Sequence, residues 1–344
     1  MKIAVYGASG FVGRLVVDEL ARRRVDVTLA GRHAEPLEEI AARYPEESMA
    51  IEVAELDDAA ALEAAFRGCD VVISCLAPYI VWGEPIVRAA IAAGCHYVDT
   101  TGEPLFVRKL LDTYDVPART AGVSIVPAAT DDTFPASFLA QMVADRTGPL
   151  RALTMIHGTF DADISRGTLR SLLEIAKNPP VVYADGEWRD SAIEPLGTYS
   201  FPDTEGPTAT FRCFSADVYL LPRHVSTAAF DVGTNFAPEP GAASLTEEMV
   251  AAFPMGPDVE KRTEARFCHL AIAQTHDGQE VRAHIRGTDL YNLTAIIAVE
   301  AAVRLSSGKA PSGVLAPAEA FDARDFVESL GEQGVQWAFD DGAA

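Results

Sequence analysis

Residues Ile3 to Leu20 read IAVYGASGFVGRLVVDEL: a short apolar run, glycines at 7, 10 and 13, then a stretch with apolar residues at helical spacing. This order predicts strand, tight turn and helix. Gly7 permits the turn off the strand, Gly10 lets main-chain amides approach a pyrophosphate because no Cβ intervenes, and Gly13 lets the helix pack closely on the sheet. Ser9, Phe11 and Val12 complete the turn and the first helical positions, where unpaired N–H groups and the positive end of the helix dipole face an anion. Three glycines alone also occur in bare structural turns. Here they follow a buried strand at once and precede a second strand at a suitable distance, so the segment is expected to cradle a dinucleotide.

That second strand ends in VTLAGRHAE, Val27 to Glu35. An NAD site places an acid there to accept from the ribose 2′-hydroxyl, and the same charge would repel a 2′-phosphate. No such acid is present. Arg32 offers a planar, permanently charged fork for phosphate oxygens, Gly31 leaves room for the ribose, and His33 adds a donor. A solvated loop charge is the alternative for Arg32; the position favours NADP(H) as cofactor.

Further outward, short β-branched runs alternate with helical stretches to about Val143, the rhythm of a parallel α/β sheet. Strands are expected at Ile3–Tyr6, Val25–Ala30, Met49–Val53, Val71–Cys75, His96–Asp99 and Val123–Val126, with helices starting near Phe11, Pro36, Asp58, Gly83 and Pro104. After about Leu150 the chain turns to extended runs rich in threonine, valine and aromatics, such as TFRCFSADVYL and ARFCHLAIAQT. These predict a mainly antiparallel sheet, with a tight hairpin at Asp277-Gly278. Helices are expected at Arg166–Lys177, Tyr291–Leu305 and about Pro317–Leu330, and an exposed loop at Phe236–Ser244. The fold class is therefore a Rossmann-like doubly wound domain over residues 1–150 with a second α+β domain, for substrate or oligomerisation, over 151–288. YNLTAIIAVEAAVRL is apolar over most of its circumference and must be covered on several sides, so residues 289–344 are expected to return to the first domain.

Chain length suits two domains, because single cores stop growing at about 250 to 300 residues. Fifty acids against 28 bases give a net charge of −22, which repels phosphate backbones and anionic lipid surfaces. Neither nucleic acid nor membrane is an expected partner; a homodimer through the second domain is. Five scattered cysteines without a CxxC pair read as reduced thiols, and the opening MKIAVYGASG enters a strand without a signal-peptide pattern, so a cytoplasmic location is expected. The seven histidines show no ligand spacing, and no metal is expected.

With these residues in place, GASGFVG, LAGR, CLAPYIVWGEPIVRAAIAAGCHYVDTTGE and GTDLYNLTA together resemble the saccharopine dehydrogenase-like family, which includes saccharopine reductases and trans-acting enoyl reductases. The resemblance covers most of the first domain and the last sixty or so residues in outline. It implies that Cys75, Ala77, Pro78 and Tyr79 lie beside the nicotinamide ribose, at a strand end where open α/β sheets bind ligands. Ala77 stands where the family often has glycine. TDDTFPAS, Thr130 to Ser137, takes the place of the family's GFDSVPSD, aligning Asp131, Asp132 and Pro135 but losing the glycine and placing Phe134 within it.

The implied reaction is hydride transfer to an imine or activated double bond of a small metabolite or carrier-bound intermediate, which needs one proton donor near the ring. Tyr97 and Asp99, following the fifth strand, are the candidate donors; Asp99 reads equally as a cap or loop clasp and Tyr97 as core. Glu103, Asp131, Asp132, Ser165 and Arg166 are candidate substrate contacts, with Arg166 suited to a carboxylate or phosphopantetheine and equally to a solvated helix face. Tyr291 and Thr294 open the long helix and either face the cleft or pack. The competing reading is a non-catalytic NADP-binding sensor or scaffold, which needs no polar groups beside the nicotinamide.

Overall fold

The computed structural model describes all residues except 48, 203, 237–245 and 341–344, so most of the loop expected at Phe236–Ser244 lies outside the described residues. The apolar runs of the first part form β1 (Lys2–Tyr6), β2 (Asp26–Gly31), β3 (Met49–Val53), β4 (Val71–Ser74), β5 (His96–Asp99) and β6 (Ser124–Val126). All pair in parallel, in the order β6-β5-β4-β1-β2-β3. Between them run α1 (Phe11–Arg22), α2 (Ala34–Ala41), α3 (Ala59–Phe66), the short α4 (Tyr79–Trp82), α5 (Glu84–Ala93) and α6 (Pro104–Ala121), and α7 (Thr133–Thr147) follows β6. VVIS of β4 is buried throughout, as a strand covered on both faces requires.

The second part forms β7 (Leu150–Phe160), β8 (Val181–Ala184), β9 (Glu187–Asp190), β10 (Pro195–Ser200), β11 (Pro207–Arg212), β12 (Ala229–Thr234), β13 (Arg266–Thr275) and β14 (Glu280–Thr288). The order is β10-β11-β12-β7-β13-β14, with β8 pairing β12 and β9 pairing β8; β12 and β7 are parallel and the other pairs antiparallel. Gly278, at φ +88°, makes the turn that joins β13 to β14. Among the described residues four α-helices interrupt the strands: α8 (Arg166–Ile175), α9 (Asp217–Leu220), α10 (Glu247–Ala252) and α11 (Val259–Glu264).

The helix α12 (Leu290–Leu305) packs along α1 and against β4 and β5. Its residues from Leu293 to Val299, with Ala301, Ala302 and Leu305, are buried, and the small alanines let it approach closely. Glu300 fixes the contact, accepting from Arg23 of α1 at 2.5 Å and Arg304 at 2.8 Å. Beyond it β15 (Gly313–Val314) adds a seventh parallel strand beside β6. The single helix expected over Pro317–Leu330 is instead two, α13 (Pro317–Ala320) and α14 (Ala323–Ser329). Phe321 is extended, and Asp322 starts the next helix by accepting from Asp325 N at 2.8 Å. The last strand, β16 (Gln336–Phe339), pairs with β14, so the carboxyl-terminal stretch serves both sheets. No helix among the described residues is long and apolar enough to cross a membrane.

Candidate active site

The turn after β1 is built from what its glycines leave out. A Cβ on Gly7, which sits at φ +83°, would stand 2.8 Å from the Cys75 carbonyl oxygen, and one on Gly13 would stand 2.2 Å from that of Gly7. Neither space exists for any other residue. Gly10 caps α1 without a side chain, so the helix opens on free N–H groups, and Arg14 Nε donates to Ser9 O at 3.0 Å to steady the turn. This cradle fits a pyrophosphate. Phe11 lies at its rim, and Val12 packs partly buried against the core.

At the end of β2, Arg32 and His33 are exposed, and Arg32 pairs with no carboxylate among the described residues. A Cβ on Gly31 would meet Leu37 at 3.5 Å, ordinary contact, so the chain itself does not demand glycine there. The guanidinium is free to meet a 2′-phosphate. After β4 comes the loop of Cys75, Ala77 and Pro78, and Pro78 caps α4. Tyr79 is buried, its hydroxyl donating to Ser74 O at 2.8 Å and lying 2.8 Å from Thr100 Oγ1. The loop can meet a ribose through its backbone, whereas the Tyr79 ring is internal.

Tyr97 and Asp99 do not face the site. Both are wholly buried on the sheet face covered by the helices of their own domain. Asp99 Oδ1 accepts from Thr101 N at 3.0 Å and Ala128 N at 2.9 Å, clasping the loops after β5 and β6 together. Ser74 Oγ, Tyr97 Oη and Asp99 Oδ2 share this interior without normal hydrogen-bond geometry to any partner. Burial first, against the two amide bonds, pushes the Asp99 carboxyl up to about 7. A group so enclosed cannot reach an acceptor, which corrects the expectation drawn from strand position. Glu103 is likewise a clasp and not a substrate contact: Oε1 accepts from Tyr79 N at 2.8 Å and Ser171 Oγ at 2.5 Å, and Oε2 from Ile80 N at 2.8 Å. It bolts α8 of the second domain onto α4 of the first.

The groups that do converge lie along the seam between the domains. Thr294 Oγ1 accepts from Asp131 N at 3.0 Å and donates to Asp131 Oδ1 at 2.9 Å; Asp131 Oδ2 has no partner among the described residues. One turn back on α12, Tyr291 Oη accepts from Ser165 N at 2.6 Å and lies 3.0 Å from Thr168 Oγ1. The Tyr291 ring meets Phe11 edge-on, with centroids 5.1 Å apart, and Gly256 touches the other side of Phe11 so closely that a Cβ would stand 2.5 Å from it. Ser165 caps α8, accepting from Thr168 N at 3.1 Å, and Gly167 faces the Ala77 methyl. Tyr291 thus joins the cradle, through Phe11, to Ser165 and Thr168 at the start of α8, while Thr294 on the same helix holds Asp131. Arg166 is turned to the same seam's frame: its Nε donates to Phe253 O at 2.7 Å, holding the 253–256 segment.

Burial, followed by the neighbouring Asp132, raises the Asp131 carboxyl to about 8, so it keeps its proton at neutral pH. Burial also pushes on Asp132, but His157, the Thr130 hydroxyl and His269 outweigh it and hold that carboxylate below its ordinary range. Asp132 caps α7, accepting from Thr133 N at 2.7 Å. Beneath this turn lie residues that sequence reading did not single out. His269 Nε2 is 3.0 Å from Asp131 O, His269 Nδ1 3.2 Å from His157 Nδ1, and His157 Nε2 2.6 Å from Asp217 Oδ2. They come from β13, β7 and α9, and no local spacing links them.

Residues 3–126 match the family model described as the saccharopine dehydrogenase NADP binding domain. Over 195 residues the chain is 34% identical to a Mycobacterium tuberculosis protein named as a trans-acting enoyl reductase, the match covering 52% of this chain and 45% of that protein. Over 239 residues it is 28% identical to the saccharopine dehydrogenase-like oxidoreductase of Mus musculus, covering 58% and 56%. The chain thus spans about half the length of the curated relatives it matches. Apo saccharopine dehydrogenase (L-Glu forming) from Saccharomyces cerevisiae shares the fold over 98% of this chain and 99% of that one, with a TM-score of 0.65 at 16% identity. Cradle, free arginine and family match agree on NADP(H) as the cofactor: residues 3–126 are similar to the saccharopine dehydrogenase NADP binding domain, and the whole chain shares the fold of saccharopine dehydrogenase.

Proposed function

We propose that the chain is an NADPH-dependent reductase that delivers hydride to an activated double bond of a small metabolite or carrier-bound intermediate. The observation that carries this reading is the seam itself: a half-buried carboxyl raised to about 8 stands against the Thr294 hydroxyl, on the helix whose Tyr291 meets Phe11 at the rim of the cradle. A sensor or scaffold has no use for such a group. When bound in the cradle, NADPH supplies the hydride. Asp131 would supply the proton to the atom of the acceptor's double bond that does not take the hydride, leaving a carboxylate that refills from water. Thr294 holds Asp131 Oδ1 and leaves Oδ2 for the transfer, while Tyr291, α8 and the 253–256 segment close the seam against water.

Between imine and conjugated C=C acceptors, the geometry favours the second. Arg166, expected as a carboxylate clamp, gives its Nε to the Phe253 carbonyl and so turns part of its fork away from a substrate, and an amino-acid imine depends on such a clamp more than an unsaturated thioester does. The name of the mycobacterial relative supports the same choice. The test is loss of NADPH absorbance with crotonyl-pantetheine and, separately, with a 2-oxo acid plus an amine. Turnover of the thioester is expected. Turnover of the imine pair instead reverses the acceptor assignment, and no oxidation with either class refutes the reductase.

A further inference from the structure

We infer that Asp217, His157 and His269 are positioning residues that brace the Asp131–Asp132 turn from below and set a buried positive charge against Asp132. The inference rests on the reading of Asp131 as proton donor but stands on its own geometry. His157 and His269 are direct cross-strand partners on β7 and β13, their rings edge to face with centroids 4.7 Å apart, and His269 stacks on Phe267 at 4.8 Å. Asp217 is wholly buried at the start of α9, its Oδ2 also accepting from Ser215 Oγ at 3.0 Å while Oδ1 has no partner. Three elements of the second domain therefore converge on one carbonyl of the first.

The protons along this chain follow from what each atom faces. The Asp131 carbonyl can only accept, so His269 Nε2 carries a hydrogen. Burial, with the neighbouring His157, pushes His269 down to about 3, so the ring is neutral and its Nδ1 presents a lone pair. His157 Nδ1 must then donate to it, and one further proton lies between His157 Nε2 and Asp217 Oδ2, 2.6 Å apart. Burial works against a charged His157, yet Asp217, Asp132 and Asp131 together raise its affinity for that proton; burial raises Asp217 in the same sense. Both directions favour retention of the shared proton. The groups facing His157 are His269 from β13, Asp217 from α9, and Asp131 and Asp132 from the loop before α7; Thr294 and Tyr291 of α12 face Asp131 from the other side. An imidazolium here favours an ionised Asp132, and an ionised Asp132 in turn leaves Asp131 as the carboxyl of the pair that holds a proton.

Carboxyl 13C and imidazole 15N NMR of the full chain, with and without NADP+, tests this without any acceptor. In the wild type, His157 Nδ1 is expected to be protonated, His269 to be protonated at Nε2 alone, and Asp132 to be ionised at pH 7. Asp217→Asn and His157→Gln should each raise the Asp132 midpoint by about one pH unit or more. His269→Gln, which retains a donor toward the Asp131 carbonyl, should raise it by less than either, since His269 ranks behind His157 among the groups that lower Asp132. An unprotonated His157 Nδ1 in the wild type overturns the assignment even if the variants fail to fold, and so does an unmoved Asp132 midpoint in either folded variant. Because nothing here depends on turnover, a chain that shows these shifts yet oxidises no NADPH refutes the reductase and spares the brace, while the reverse outcome does the opposite.

Discussion

Asp99 and Asp131 stand at corresponding places, one at the carboxyl end of β5 and the other just beyond β6, the neighbouring parallel strand. Burial raises both, to about 7 and about 8. Asp99 is covered by its own domain and has one oxygen saturated by two main-chain amides; Asp131 is covered by the other domain, shares one oxygen with a threonine and leaves the second open. The difference teaches that a strand end brings an acid near the ligand, and the layer that closes over it decides whether the acid is a clasp or a reagent.

The contrast breaks most readily at Asp131. Asp131→Asn is expected to lower turnover by about 10²- to 10⁴-fold, the usual worth of a positioned proton donor, with NADPH affinity unchanged by fluorescence titration. Asp99→Asn, which keeps the amide-accepting oxygen, should show no comparable loss; equal losses would erase the distinction. Wild-type turnover should hold below about pH 8 and fall above it, because Asp131 loses the transferable proton as pH rises through that value. A rate that climbs through this window would assign the proton elsewhere.

Smaller effects sharpen the comparison by separating cofactor from acceptor and clasp from reagent. Arg32→Ala removes a charge-assisted contact worth about 1.5 to 3 kcal/mol, so NADPH should bind roughly tenfold or more weakly while NADH is unaffected. Asp99→Ala leaves the Thr101 and Ala128 amides without their acceptor and should cost about 1 to 3 kcal/mol in denaturant unfolding, with turnover kept by the folded fraction. Tyr97→Phe comes last: its hydroxyl meets Ser74 and Asp99 without normal hydrogen-bond geometry, and stability should change by less than about 1 kcal/mol.

The first sheet was legible because its signals are local. Gly7 and Gly13 sit where an added carbon would strike backbone, and β-branched runs mark each parallel strand. Arg32 was legible by the absence of an acid. The apolar circumference of Leu290–Leu305 likewise announced a helix covered on several sides, and it lies against α1. The donor was misassigned to Tyr97 and Asp99 because sequence order fixes where a strand ends but not which layer lies above it. His157, Asp217 and His269 gave no signal, since they meet through the register of β7 with β13 and the docking of α9. Arg166 was equally ambiguous, for its partner is a main-chain carbonyl far along the chain, which no residue type reveals.

The placement of α12 and β15 also has a temporal side. The sheet that holds the cradle receives its seventh strand from Gly313–Val314, and the face of α1 that bears Arg23 is covered by a helix beginning at Leu290. A ribosome that has delivered β1 to β6 has therefore delivered an unfinished nucleotide domain, with apolar surface waiting through the synthesis of the whole second sheet. The early domain keeps that surface uncovered until α12 and β15 emerge to complete it.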